Sequence, residues 1–208
     1  MPTSQASPRF AVAIMAAGKG TRLKSKHPKV LFEVGGQSLL RHVIAAASQV
    51  VAPRDIFAII GHEADRVGEA VKSTGVNFVV QAEQKGTGHA VMCAADSIRD
   101  YDHVLVLSGD VPLLTAETIR GIRDFHLQHG GAMTLLSADF ADPTGYGRIL
   151  RRKKKGKPTD EVEQIVEQKQ LKPAQVKITE INAGIYAFAL KPLLANFGRL
   201  QTDRKSVV

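Results

Sequence analysis

The chain has 208 residues, 44% of them hydrophobic and 23% charged, which excludes collagen, a coiled coil and wholesale disorder and is enough for one compact core. Its apolar runs, such as residues 11–17 and 104–107, fall far short of the roughly 20 residues needed to cross a bilayer. The net charge of +8 is concentrated in Arg151, Arg152, Lys153, Lys154, Lys155 and Lys157. No aromatic residue interleaves in that run to stack on bases, so it reads as a solvated hairpin tip and no nucleic-acid partner is expected.

The N-terminus carries Ser4, Gln5, Ser7 and Pro8 without the apolar core and cleavage site of a secretory signal, and a cytoplasmic location is expected. The single cysteine, Cys93, agrees with a reducing compartment. Residues 1–9 are expected to be a disordered tail and 10–202 one domain.

Segments 10–15, 56–60, 76–80 and 103–107 are short and largely apolar, the pattern of strands buried on both faces of a parallel sheet. Between them, residues 37–51 place Leu39, Leu40, Val43, Ile44 and Ala47 at helical spacing, and 63–72 and 89–98 predict shorter helices. A helix capped by Thr115 and ending near His129 follows, then a strand over 132–138. Residues 146–152, 161–167 and 183–190 predict a hairpin and a return strand. The alternation defines an α/β fold with a mostly parallel central sheet, helices on both faces and a β-hairpin-rich C-terminal part.

In open α/β sheets ligands bind beyond the carboxyl ends of the strands. The first strand runs directly into AAGKGTRLKSKHPKVL, residues 16–31. There Ala16, Ala17, Gly18 and Gly20 let backbone N–H groups approach a polyphosphate, and Lys19, Arg22 and Lys29 bring positive charge. The run is neither a Walker loop, since Gly20 follows Lys19, nor a dinucleotide fingerprint, since Leu23 stands where the third glycine belongs.

After the third parallel strand, QAEQKGTGHA (81–90) offers the amides of Gln81 and Gln84 to a base and a close-approach turn at Gly86, Thr87 and Gly88. The alternative is a plain loop with Thr87 as helix cap. His89 has no Cys or His partner for a metal and is read as structural. The fourth strand leads into SGDVPLL (108–114), where Asp110 suits Mg²⁺, an ion that takes one or two carboxylates and fills its shell with water and phosphate oxygen. A turn-forming role is the alternative for that aspartate. Further on, Gly145 to Arg148 form a tight approach before a strand, Glu167 with Lys169 ends another and Asn182 precedes the last; Glu167 and Asn182 suit the hydroxyls and amide of a sugar and Lys169 a phosphate, or each serves an ordinary turn.

In order and spacing, AAGKGTR, PKVL, QAEQKGTGHA, GDVPL, DPTGYGRI, IVEQK and INAGIY resemble the uridyltransferase domain of the bacterial bifunctional N-acetylglucosamine-1-phosphate uridyltransferases/glucosamine-1-phosphate acetyltransferases, over about residues 10–200. The resemblance implies a Rossmann-like nucleotide-diphospho-sugar transferase fold. It also implies Mg²⁺-dependent formation of UDP-N-acetylglucosamine and pyrophosphate from UTP and N-acetylglucosamine 1-phosphate, in the supply of peptidoglycan and lipopolysaccharide precursors. By that likeness Met15, Ala16, Ala17, Gly18, Gln81, Gly86 and Thr87 contact the uridine, with Ser108 and Gly109 beside it. Arg22 and Lys29 act on the phosphates as the catalytic cations, Asp110 holds the metal, and Gly147, Glu167 and Asn182 hold the sugar. A homotrimer is expected only of the full-length family member.

Two departures stand out. Ser108 occupies a position where the family often has an aromatic residue. The chain also ends before the asparagine that supplies the family's second metal contact and before the acetyltransferase domain. Its last six residues, DRKSVV (203–208), match a translated sequencing adapter, GATCGGAAGAGCGTCGTG, so a gene fragment with an artificial tail is expected. The competing readings are another sugar-phosphate nucleotidyltransferase and an idle nucleotide-binding module.

Overall fold

The computed structural model describes residues 7–18 and 27–199, which fall into two compact units. The first runs up to Thr134 and resumes at Tyr186, and the second is Leu135–Ile185.

In the first unit, strand β1 (Phe10–Ala16) is hydrogen-bonded between β4 (Ile56–Ile60) on one side and β6 (His103–Ser108) on the other, and β5 (Asn77–Val80) extends the sheet beyond β4. All four run parallel. A short hairpin pairs β2 (Glu33–Val34) with β3 (Gln37–Ser38) through Gly35 and Gly36, which sit at φ 60° and 77°. Such a two-residue turn needs positive φ at both central positions, which Gly-Gly supplies without strain.

Both faces of the sheet are covered. Ala11, Ala13, Phe57, Ile59, Val104 and Val106 pack against α3 (Thr87–Cys93), α4 (Ala95–Ile98) and the start of α6 (Leu190–Asn196). Alternation along the strands sends Val12 and Ile14 to the opposite face. There α1 (Leu39–Ala47) buries Leu40, Val43, Ile44 and Ala47 and contacts both β1 and α5 (Ala116–His129). Ser38 caps α1 by accepting from the Arg41 N–H, and Thr115 caps α5 by accepting from the Thr118 N–H, as its sequence position predicts. α2 (Ala64–Val71) lies in the crossover between β4 and β5.

The predicted helices shift at their ends. The one expected over 37–51 occupies only Leu39–Ala47, because 37–38 pair as β3. The one expected over 89–98 is divided at Ala94 into α3 and α4. Ahead of β1, the Arg9 N–H donates to Asp102 and its guanidinium lies 4.6 Å from the Tyr101 ring, so the chain is engaged from Arg9 onward.

At the amino edge of the sheet His103 stacks on Phe10, its Nδ1 lies 3.1 Å from His126 Nε2, and His126 Nδ1 lies 2.8 Å from the Thr134 hydroxyl. Burial pushes both imidazoles below their usual pKa, and the neighbouring His103 pushes His126 further down. The unfolded chain therefore binds protons that the folded chain resists. Stability is complete above the ordinary imidazole range and falls as pH drops through it. The thermal midpoint is expected to fall between about pH 7.5 and about pH 5.5. Part of that fall should vanish in His103→Phe, which keeps the stacking on Phe10; an unchanged slope would contradict the assignment.

In the second unit β8 (Arg148–Lys154) and β9 (Lys157–Val166) form an antiparallel hairpin turned by Lys155 and Gly156, with φ of 51° and 79°. β9 starts four residues ahead of the strand expected from Glu161. β10 (Glu180–Ala189) pairs antiparallel with β8 at Ile181, and β7 (Met133–Asp139) pairs with β10. The end of β10 crosses into the first unit, where Tyr186–Ala189 pair antiparallel with β6. Arg151 forks onto Glu180, which also accepts from the Ser137 hydroxyl, and that guanidinium holds the Glu180 carboxyl below the usual carboxylate range. Arg152 pairs with Glu161, and residues 152–158 are exposed, as a solvated tip requires.

Candidate active site

Because β1, β4, β5 and β6 are parallel, their carboxyl ends lie along one edge, and the loops leaving Ala16, Ile60, Val80 and Ser108 meet there. That edge gathers Met15, Ala16, Ala17, Gly18, Gln81, Ser108, Gly109 and Asp110. Ala16 and Ala17 are buried while Gly18 is exposed, with open space where a side chain would stand. Arg22, with Lys19 and Gly20, lies outside the described residues.

Met15 pairs with Ser108, and the Gly109 N–H donates to the Met15 carbonyl at 3.0 Å, so the β1–β6 ladder carries one step past the strand. Gly109 is required for that step, since a Cβ there would stand 2.9 Å from the Met15 oxygen and 3.3 Å from Leu40. The turn so formed presents Asp110. Its carboxylate meets the Lys29 ammonium at 2.7 Å, the two side chains being 32% and 41% exposed. Lys29 starts a short 3-10 turn, Lys29–Leu31, behind the buried Pro28. The structure thus joins two residues that lie 81 positions apart in the sequence, one expected at the phosphates and the other at the metal.

Across the edge, the Gln81 N–H continues the sheet by donating to the Ile60 carbonyl at 2.7 Å, and the His62 N–H donates to Ala17 at 3.3 Å. Gln84 closes the same gap from its side chain, donating to the Ala17 carbonyl at 2.6 Å. Gly86 takes φ 95°, with no atom within 4 Å of a Cβ built on it, and it rather than Thr87 caps α3, where Thr87 is the first residue. Thr87 as the cap is therefore ruled out.

Gly61 was missed by sequence reasoning. A Cβ on it would lie 2.7 Å from the Gln81 carbonyl oxygen and 2.9 Å from the Ala17 Cβ. This glycine lets the loops after β1 and β5 close on each other. The signal was present, a glycine directly behind the apolar run IFAII, in the same place as Gly109 behind HVLVLS.

In the second unit Gly147, Glu167 and Asn182 come together. The Asn182 N–H donates to the Gly147 carbonyl at 2.8 Å, and Asn182 Oδ1 accepts from Gly184 N–H at 3.1 Å. A Cβ on Gly147 would stand 3.2 Å from Glu167 Oε1. Beside them Arg148 is buried, and its guanidinium donates to the carbonyls of Ile178 and Tyr146, which gives it a structural task.

This is the Rossmann-like fold of the nucleotidyltransferases. It is shared with a solved CMP:2-keto-3-deoxy-manno-octonic acid synthetase complexed with CTP, at TM-score 0.69 and 17% identity, covering 93% of this chain and 78% of that one. HddC from Yersinia pseudotuberculosis complexed with GMP-PN also shares it, at TM-score 0.69 and 23% identity, covering 89% of this chain and 78% of that one. The chain belongs to the MobA-like NTP transferase domain family, whose model matches residues 12–174.

The chain is 58% identical over 195 residues to the bifunctional protein GlmU of Koribacter versatilis, covering 94% of this chain and 41% of that protein. It is 46% identical over 196 residues to the GlmU of Lactococcus lactis subsp. cremoris, with the same coverage of 94% and 41%. These are bifunctional proteins of the kind to which the motifs point, and the chain spans about two fifths of their length. Among the described residues no helix is long and apolar enough to cross a membrane.

Proposed function

We propose that this chain transfers UMP from UTP to N-acetylglucosamine 1-phosphate, releasing pyrophosphate and forming UDP-N-acetylglucosamine. The observation that carries this reading is the Lys29–Asp110 pair, 2.7 Å apart at the carboxyl edge of the parallel strands, where β1 also ends. The identity with the GlmU proteins supports the choice of substrates.

A sugar 1-phosphate is already an anionic nucleophile at neutral pH. One of its phosphate oxygens attacks the α-phosphorus of UTP, a new P–O bond forms, the bond to the β-phosphate breaks, and pyrophosphate leaves with the electron pair. No general base is needed. The protein has to align the two anions and offset their charge. Lys29, with Arg22, meets the phosphates, while Met15, Ala16, Ala17, Gly18, Gln81, Gly86 and Thr87 hold the uridine beside Ser108 and Gly109. Gly147, Glu167 and Asn182 hold the sugar.

The Asp110 carboxylate, a hard oxygen donor one third exposed, fits Mg²⁺, which draws its other ligands from water and phosphate. When bound, Mg²⁺ offsets charge on the reacting phosphates. Asp110 and Lys29 neutralise each other in the structure; with substrate, the phosphates would pair with Lys29 and Mg²⁺ with Asp110.

The test is a panel of UTP, dTTP and CTP against N-acetylglucosamine, glucose and galactose 1-phosphates, with products identified by mass. UDP-N-acetylglucosamine is expected to form at least about tenfold faster than any other product. Preference for another sugar phosphate or nucleotide would overturn the assignment of substrates and keep that of the reaction class.

A further inference from the structure

Gln81 stands directly behind β5 at the edge where the site is assembled, and it is only 4% exposed. Its side-chain Nε2 donates to the Gly86 carbonyl at 3.3 Å and lies 3.0 Å from His89 Nδ1 on α3. A carbonyl oxygen can only accept, so the Gly86 contact places the NH₂ end of the amide inward whatever the histidine tautomer. His89 Nδ1 must then present its lone pair to the same NH₂ and carry its proton on Nε2. The Cys93 thiol, one turn along α3, lies 3.9 Å from that same Nδ1.

The other end of the amide is left over. Among the described residues none meets Gln81 Oε1, and no buried side-chain nitrogen or oxygen lacks a partner, so this oxygen faces accessible space. A glutamine held by nothing offers a ligand either its oxygen or its NH₂ by turning over. Here the turn would set two oxygens against each other at Gly86 and forfeit the bond to His89.

We propose that His89 is a positioning residue that, with the Gly86 carbonyl, locks Gln81 as a hydrogen-bond acceptor toward the base and so selects an imide base, uracil or thymine, over cytosine. The imide offers an N3–H where cytosine offers a lone pair, and a lone pair against Oε1 is repelled. This inference rests on the proposed binding of uridine at Gln81 and adds the residue that decides which face of the amide the base meets.

The test measures UTP and CTP affinity calorimetrically in Mg²⁺ buffer for the whole chain and for H89F, H89N and Q81A. The unsubstituted chain is expected to bind UTP at least about tenfold more tightly than CTP. H89F removes the acceptor, and it should weaken UTP and bring the UTP:CTP ratio to within about threefold of unity. In H89N the Oδ1 stands near the place of Nδ1 and restores the preference, which a merely space-filling role would not predict. Thermal midpoints identify any variant that fails to fold, and if H89F does, H89L replaces it, since leucine also carries no acceptor. An unchanged ratio in H89F while Q81A weakens UTP would overturn the lock alone. UTP affinity unchanged in Q81A, or no UTP binding by the unsubstituted chain, would overturn both the lock and the uridine reading.

Discussion

Asp110→Ala is expected to lower Mg²⁺-dependent pyrophosphate release by about 10³-fold, the loss typical of removing a group that anchors charge at a reacting phosphate. The fold should hardly notice. The Lys29–Asp110 pair is part-exposed, and such pairs contribute about 0–1 kcal/mol. The variant also separates two roles for the carboxylate. Without Mg²⁺, Asp110 competes with the triphosphate for Lys29 and repels it, so metal-free UTP should bind Asp110→Ala as well as, or better than, the unsubstituted chain. With Mg²⁺ the order should reverse. Lys29→Met should lose about 10²-fold in kcat/KM and bind UTP more weakly with or without the metal. Nucleotide titrations at both Mg²⁺ conditions read these signs, and the same order in both would remove Asp110 from the metal site.

Gly61→Ala should be the most damaging single methyl group at the site. The added Cβ would meet the backbone oxygen of Gln81 at 2.7 Å and Ala17 Cβ at 2.9 Å, and neither is the end of a flexible side chain. Relief requires the β1 and β5 loops to part, which strains the His62–Ala17 and Gln81–Ile60 hydrogen bonds of 3.3 and 2.7 Å. A loss of about 2–3 kcal/mol in stability is expected, with UTP affinity falling at least about tenfold. Gly121→Ala is the matched control. It sits inside α5 with nothing within 4 Å of its Cβ, so it should stabilise by about 1 kcal/mol through helix propensity alone. Urea unfolding of both variants checks the pair, and equal destabilisation would mean that crowding at Gly61 is not what matters.

The parallel core was readable because strands buried on both faces leave continuous apolar runs, and 56–60 agrees with the observed β4 residue for residue. Thr115 was readable because a capping hydroxyl three residues ahead of its target is a local device. What escaped depends on tertiary surroundings. The Val34–Gly35–Gly36–Gln37 turn carries a hairpin signal, yet its strands are only two residues each, too short to show alternation. β9 begins in Lys157–Pro158–Thr159, a polar stretch that pairs because β8 lies beside it, and Pro158 is tolerated near the exposed tip. α6 starts directly at the end of β10, so no turn signal separates the two.

The site divides in the same way. The loops could be placed from the strands they follow, whereas the meeting of Lys29 with Asp110 and the need for Gly61 are long-range contacts, and the clasp of His89 on Gln81, eight residues apart, depends on how the loop between them folds back. Their residue types announced the chemistry, but only folding chose the partners. His89, read as structural for want of metal-binding neighbours, touches the very glutamine assigned to the base.

The most direct test of the account is pyrophosphate release by the purified chain given UTP, N-acetylglucosamine 1-phosphate and Mg²⁺. Release in step with UDP-N-acetylglucosamine, abolished by chelation of the metal, is the predicted result. UTP bound tightly but never cleaved, at any Mg²⁺ concentration, would contradict it and leave a nucleotide-binding protein without the transfer.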